Sequence, residues 1–249
     1  MNFKNILYSL LISGCLYGST AGNISMFTET YPPYNMKEDG KLTGLSIEIL
    51  KAVLKQLNSK QTIEDVLLTN WSRAYSIALK NNNSMVFSTT RTESREPLFK
   101  WVGPIVNTKV GAIALKGKKI TINSIEDFNK YKIGAVLKDV GETTLAELGV
   151  NSQQIQSVSG ENAINLSFLK LQNKRIDIFA YETKAAFENA KKLGFDTNKY
   201  EIIYTLKEGD LYFAFNKNTD DEIIQKWQRA LDTIKNNGIY NKILLKYTH

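Results

Sequence analysis

The stretch Ser88-Thr89-Thr90-Arg91-Thr92-Glu93-Ser94-Arg95-Glu96-Pro97-Leu98-Phe99-Lys100-Trp101-Val102-Gly103-Pro104 follows a short apolar run, Met85-Val86-Phe87, that has the character of a buried strand. Hydroxyls crowd the end of that strand, and Arg91 and Arg95 stand four residues apart. In open α/β sheets, ligands bind just beyond the carboxyl ends of strands. Hydroxyls beside a planar guanidinium suit a small carboxylate, which arginine grips with parallel hydrogen bonds. The same residues also describe a solvated loop in which Arg91 pairs with Glu93 and Arg95 with Glu96. Local chemistry leaves both readings open.

Outward from this stretch, strand and helix patterns alternate. Asn23 to Thr28 predicts a first strand, and Tyr31-Pro32-Pro33-Tyr34 a stiff aromatic loop, because each proline fixes φ and removes a donor. Leu45, Ile49, Leu50, Val53, Leu54 and Leu57 form a helical stripe. Ile63 to Leu68 predicts a strand and Trp71 to Leu79 a helix. Further strands are predicted at Val110 to Leu115, Lys132 to Leu137, Arg175 to Ala180 and Leu211 to Phe215. Helices separate most of these strands, and Thr219 with Glu222 predicts the capped start of a strong amphipathic helix. Such alternation predicts an α/β protein. A second polar cluster, Tyr181-Glu182-Thr183, ends another strand. Two strand ends of opposite charge predict two lobes facing one cleft.

A chain of 249 residues is long enough for one large domain or for two lobes of about 100 residues each. The net charge of +7 comes from scattered lysines, with no basic run interleaved with aromatics, which argues against nucleic acid as a partner. His249 is the only histidine and is terminal, so a histidine-centred triad or zinc site is not expected. Met1 to Lys4 brings a positive charge, Ile6 to Leu16 is largely apolar, and Ser19-Thr20-Ala21 supplies small residues. This order predicts a secretory signal over residues 1–21. Ile12-Ser13-Gly14-Cys15 also resembles a lipobox, an alternative in which Cys15 carries a lipid. Cys15 is the only cysteine, so cleavage after Ala21 leaves a chain without thiols.

Several motifs, taken in order, carry a family resemblance: Tyr31-Pro32-Pro33-Tyr34, then Asp39-Gly40-Lys41-Leu42-Thr43-Gly44-Leu45, Trp71 before a helix, Thr92-Glu93-Ser94-Arg95, Arg175-Ile176-Asp177, and Asn237-Gly238-Ile239-Tyr240. Across nearly the whole chain beyond the signal, the sequence resembles the bacterial extracellular solute-binding proteins of family 3, the amino-acid-binding components of ABC importers. The resemblance implies a two-lobed periplasmic-binding-protein fold of type II, each lobe a mixed sheet flanked by helices. It implies lobe 1 over 22–107 and 208–249, lobe 2 over 108–207, and crossings near residues 106–109 and 207–210. It further implies a periplasmic monomer that binds a small amino acid or related carboxylate, needs no cofactor or metal, and serves a membrane permease.

By position, Arg95 resembles the arginine that clamps the ligand carboxylate, Ser88 and Thr90 the strand-end residues beside it, and Glu182 the acid that holds the ammonium. Tyr31, Tyr34 and Trp71 are candidate walls. The family often places glycine and a hydroxyl residue where this chain has Lys138-Asp139. Lys138 could supply a point charge there, whereas Asp139 would oppose a carboxylate. Some relatives on this fold resemble cyclohexadienyl dehydratases, so an enzyme with Glu182 as acid is the alternative, and a ligand sensor is another.

Overall fold

The computed structural model describes residues 23–247. The expected signal, Cys15 and His249 lie outside them. The chain runs β1 (Ser25–Thr28), β2 (Met36–Glu38), β3 (Lys41–Thr43), α1 (Leu45–Gln56), β4 (Val66–Leu68), α2 (Trp71–Lys80), β5 (Ser84–Thr90), β6 (Phe99–Leu115), β7 (Ile133–Val136), α3 (Val140–Glu147), β8 (Ile155–Val158), α4 (Ala163–Gln172), β9 (Ile178–Glu182), α5 (Thr183–Lys192), β10 (Tyr200–Asn216), α6 (Asp221–Asn236) and α7 (Ile239–Leu245). Every residue of β5, β7 and β9 is buried. Full burial is expected of strands covered by helices on both faces, and it explains their short apolar runs before any polar strand end.

The molecule is a two-lobed α/β protein whose lobes share strands. One side has β4, β1 and β5 in parallel; the other has β9, β7 and β8 in parallel. Between them run β6 and β10, antiparallel to each other and 17 residues long each, so the hydrogen-bonded order is β4-β1-β5-β10-β6-β9-β7-β8. β10 pairs with β5 as far as Leu211↔Thr90, and β6 pairs with β9 from Val110↔Glu182 onward. Residues 107–109 and 208–210 therefore have ladder partners only in each other, although the Asp210 carbonyl also accepts from the Arg91 amide at 3.3 Å.

These strands are longer than their apolar patterns, Val110 to Leu115 and Leu211 to Phe215. Their middle segments carry Asn107, Lys109, Lys207, Glu208 and Asp210, and backbone pairing continues there without an apolar face. Two further differences are local. Residues 63–65 form a single 3₁₀ turn capped by Thr62, so that strand starts only at Val66. Asp220, not Thr219, caps α6, its Oδ1 accepting from the Glu222 amide at 2.8 Å.

α1 and α6 pack on one another through the stripes read from sequence, with Ile49, Leu50, Val53, Trp227, Leu231 and Ile234 all buried. On the opposite side, α3 lies close against β9. A Cβ added at Gly141 would fall 2.3 Å from the Ala180 carbonyl oxygen, backbone that has little room to give. Gly141→Ala is therefore expected to push α3 off the sheet and to cost about 1–3 kcal/mol by overpacking. Urea unfolding of the variant measures it, and an unchanged midpoint would contradict the close approach.

Candidate functional site

The cleft lies where the ends of β1 and β5 face the ends of β7 and β9. β5 bends there, because Tyr212 pairs with Thr89 and Phe213 with Phe87, leaving Ser88 as an extra residue at φ 58°. Such a bulge re-aims a side chain, and the Ser88 hydroxyl meets Asn35 Oδ1. Thr90 is buried at the strand end. Thr92 then caps a 3₁₀ turn that carries Arg95 inward, leaving it 2% exposed.

The Arg95 guanidinium lies 5.4 Å from the Trp71 ring centroid and 5.3 Å from that of Tyr75. Nη1 donates to the Thr90 carbonyl at 3.1 Å, Nη2 donates to the Lys138 carbonyl at 2.9 Å, and Nε is buried without a partner. Arg91 takes the other course. It pairs with Glu96 at 2.5 Å and stacks beside Trp101 and Tyr212 at the surface, so the solvated-loop reading describes Arg91, although with Glu96 as partner and not Glu93.

The facing lobe contributes a second left-handed residue, Lys138, at φ 63°. Its carbonyl accepts from both Arg95 and Trp71 Nε1, the latter at 2.8 Å, and the neighbouring Leu137 carbonyl accepts from Ser72 Oγ at 2.9 Å. The Lys138 ammonium donates to Ser76 Oγ of α2 at 3.4 Å. Lys138 thus meets the opposite lobe mainly through its carbonyl, with its ammonium at the longer distance to Ser76. Asp139 is buried and caps α3, its Oδ1 accepting from Gly141 N at 3.2 Å. Glu182 ends β9 and caps α5. Oε2 accepts from Ala185 N at 2.6 Å, and Oε1 accepts from the Tyr34 hydroxyl across the cleft at 3.2 Å.

Tyrosine rings fill the middle. Tyr31 lies 5.1 Å from Tyr34 and 5.7 Å edge-on to Tyr181, which stacks on Phe179. The Tyr181 hydroxyl is buried without a partner. Glu29, directly after β1, belongs to this group but stands out less in sequence because Thr28 and Thr30 flank it. Reading β1 by the same strand-end rule as β5 finds it.

Burial raises the Glu29 carboxyl well above its ordinary range; Asp139 adds to the rise and Arg95 opposes it. Burial also raises Asp139, against the pull of Arg95 and of the α3 amides. Glu182 is raised by burial, against the lowering from the amides of Ala185, Lys109 and Lys184 and from Tyr34. Burial and the Glu182 charge together raise the Tyr34 phenol. Cavities open on either side of this packed centre. One, of about 440 Å³, lies against the paired crossings beside Tyr34, Thr108 and Glu182, and the other, of about 240 Å³, lies between Glu29, Asn70 and Glu161.

All nine residues singled out in the sequence—Ser88, Thr90, Arg95, Glu182, Tyr31, Tyr34, Trp71, Lys138 and Asp139—stand at or beside this cleft, although Lys138 does so through its carbonyl. Trp71 is buried and joins the lobes at the same time, so core packing and cleft wall are one role. Trp71→Phe, which keeps the ring but loses the indole N–H, is expected to cost about 1 kcal/mol of closure. Small-angle scattering should show a larger radius of gyration for the ligand-free variant, and an unchanged radius would contradict this.

Residues 24–249 match the family described as bacterial extracellular solute-binding proteins, family 3, and the chain belongs to that family. A probable histidine-binding protein of Campylobacter jejuni is 26% identical over 223 residues, spanning 87% of this chain and 81% of that protein. An arginine-binding periplasmic protein of Mannheimia haemolytica is 26% identical over 246 residues, 98% of either chain. Among solved structures, a histidine kinase sensor domain with similarity to periplasmic binding proteins superposes with a TM-score of 0.78 at 15% identity, covering 90% of this chain and 96% of that one.

Proposed function

We propose that this chain is an extracytoplasmic binding protein that captures a small amino acid or related solute between its lobes and presents it to the permease of an ABC importer. Residues 22–107 and 208–249 act as one lobe and 108–207 as the other, bending at residues 107–109 and 208–210. The observation that carries this reading is the set of hydrogen bonds from Trp71, Ser72 and Arg95 on one lobe to the Leu137 and Lys138 carbonyls on the other, with Tyr34 reaching Glu182 beside them. A solute seated among these residues touches both lobes only when they are closed. That difference in affinity is what moves a hinge equilibrium. Glu182 holds the ligand ammonium, and the tyrosines form its wall. The relatives' names, histidine- and arginine-binding, support an amine-bearing ligand.

Binding, not catalysis, is the role assigned to Glu182, in keeping with relatives that are named as binding proteins. A thermal-shift panel of amino acids, amines and small carboxylates tests the reading. One or more amino acids or amines should stabilise the protein by about 2.7 kcal/mol at a hundred times Kd. Formation of an aromatic acid from prephenate, with no amino acid or amine bound, would contradict it.

A pH dependence follows from the buried carboxyls. Glu29, Asp139 and Glu182 all have raised folded pKa values, so each binds its proton more tightly in the ligand-free folded protein than in the unfolded chain. Their contribution to stability is therefore present at low pH and declines as pH rises through the ordinary carboxylate range and above it. A ligand cation favours the ionised forms, so its affinity should rise with pH over that interval, with protons released on binding. Calorimetry in two buffers of different ionisation heat measures the release, and proton uptake would contradict the assignment.

A further inference from the structure

We propose that the cleft recognises an organic amine by its positive charge and takes it with or without a carboxylate, because both terminal nitrogens of Arg95 are taken by backbone carbonyls and Asp139 occupies the start of α3. This inference rests on the reading of the cleft as the ligand site.

The first observation is the state of Arg95. Nη1 and Nη2 each serve a backbone carbonyl and two aromatic rings flank the guanidinium, so Nε is the nitrogen left without a partner. The second is α3. The N-terminus of a helix is an anion site because its first amides lack partners, but Asp139 Oδ1 accepts from the Gly141 amide there. An anion arriving at the start of α3 therefore meets an amide already paired with a carboxyl oxygen.

The third observation is burial. Asp139 and Glu182 are two buried carboxyl side chains of the cleft, against one buried guanidinium, that of Arg95. The fourth observation is Tyr181. Its hydroxyl is buried with no partner, and Glu29, Asp139 and Glu182 are all close enough to act on it. An ammonium can donate to that oxygen and to the carboxylates together, while the rings of Tyr31 and Tyr34 offer faces that favour a cation. Arg95 Nε keeps one N–H for a neutral acceptor on the ligand, such as a hydroxyl, or for one oxygen of a carboxylate when there is one.

The test is isothermal titration of the purified protein with matched pairs: arginine and agmatine, lysine and cadaverine, histidine and histamine, together with glutamine and glutamate. The expected result is that at least one amine binds within tenfold of its parent amino acid, or more tightly, and that glutamate does not bind. Asp139→Asn keeps a good helix cap and removes the charge, so it should favour the parent over the amine by tenfold or more relative to the wild type. Glu29→Gln, away from any cap, should weaken the amine by at least tenfold. A parent amino acid that binds while its amine is weaker by more than tenfold would overturn the inference and leave amino-acid capture standing. Binding of glutamine or glutamate alone would do the same. No binding by any of the compounds would overturn both this inference and the proposed function.

Discussion

Arg95→Ala is expected to be the most damaging single substitution in the cleft. It removes the donors to the Thr90 and Lys138 carbonyls and the cation between Trp71 and Tyr75. Losing hydrogen bonds from a charged donor typically costs about 1.5–3 kcal/mol each. Half of the summed loss falling on the closed state alone would weaken ligand binding by a factor of ten or more. Arg95→Lys should recover little, because a single ammonium does not reproduce the planar fork that serves both carbonyls. Chemical unfolding and calorimetry, run on the same preparations, measure both effects. A loss of affinity below tenfold with normal stability would show that Arg95 neither closes the cleft nor supports it.

Glu182→Ala is expected to abolish recognition of the ligand cation, at a cost of about 2–5 kcal/mol of binding, the range for truncating one partner of a buried hydrogen-bonded charge pair. It also removes the cap of α5, worth about 1 kcal/mol of stability. The two effects separate with Glu182→Gln, whose side-chain oxygen can still accept from Ala185 N while the charge is gone. If the charge is what the ligand reads, the glutamine variant folds normally and still binds at least tenfold more weakly. Wild-type affinity in Glu182→Gln would remove Glu182 from the site.

The fold was legible where burial is strongest. β5, β7 and β9 are covered on both faces and carry short apolar runs before any polar strand end, and α1 and α6 carry clear stripes. The lengths of β6 and β10 were hidden, because backbone pairing at residues 107–109 and 208–210 leaves no trace in side-chain polarity. β8 was missed for a related reason: it is an edge strand with no fully buried residue.

Within the cleft, strand ends marked by polar clusters pointed to Arg95 and Glu182. Arg91 and Arg95 looked alike in sequence and part company in space, since the 3₁₀ turn capped by Thr92 sends one inward and leaves the other at the surface. Lys138 was read as a point charge, and the structure adds its carbonyl as an acceptor from Arg95 and Trp71, a consequence of left-handed backbone that a lysine gives no warning of. Glu29 follows a strand end and Tyr181 stands in the second polar cluster, but their place among the carboxyls emerges only when the lobes meet.

The account turns on one movement: a ligand draws the two lobes together. Lys37 and Glu161 are exposed and face each other across the mouth of the 240 Å³ cavity, one on each lobe. The sequence has no cysteine other than Cys15, so Lys37→Cys with Glu161→Cys, in a chain lacking Cys15, gives a selectively labelled pair. Spin-label distances in that protein should shorten and narrow as the best amino acid or amine of the panel is added, with the same midpoint as the calorimetric isotherm. A distance distribution that stays unchanged while calorimetry shows the ligand bound would contradict capture by closure.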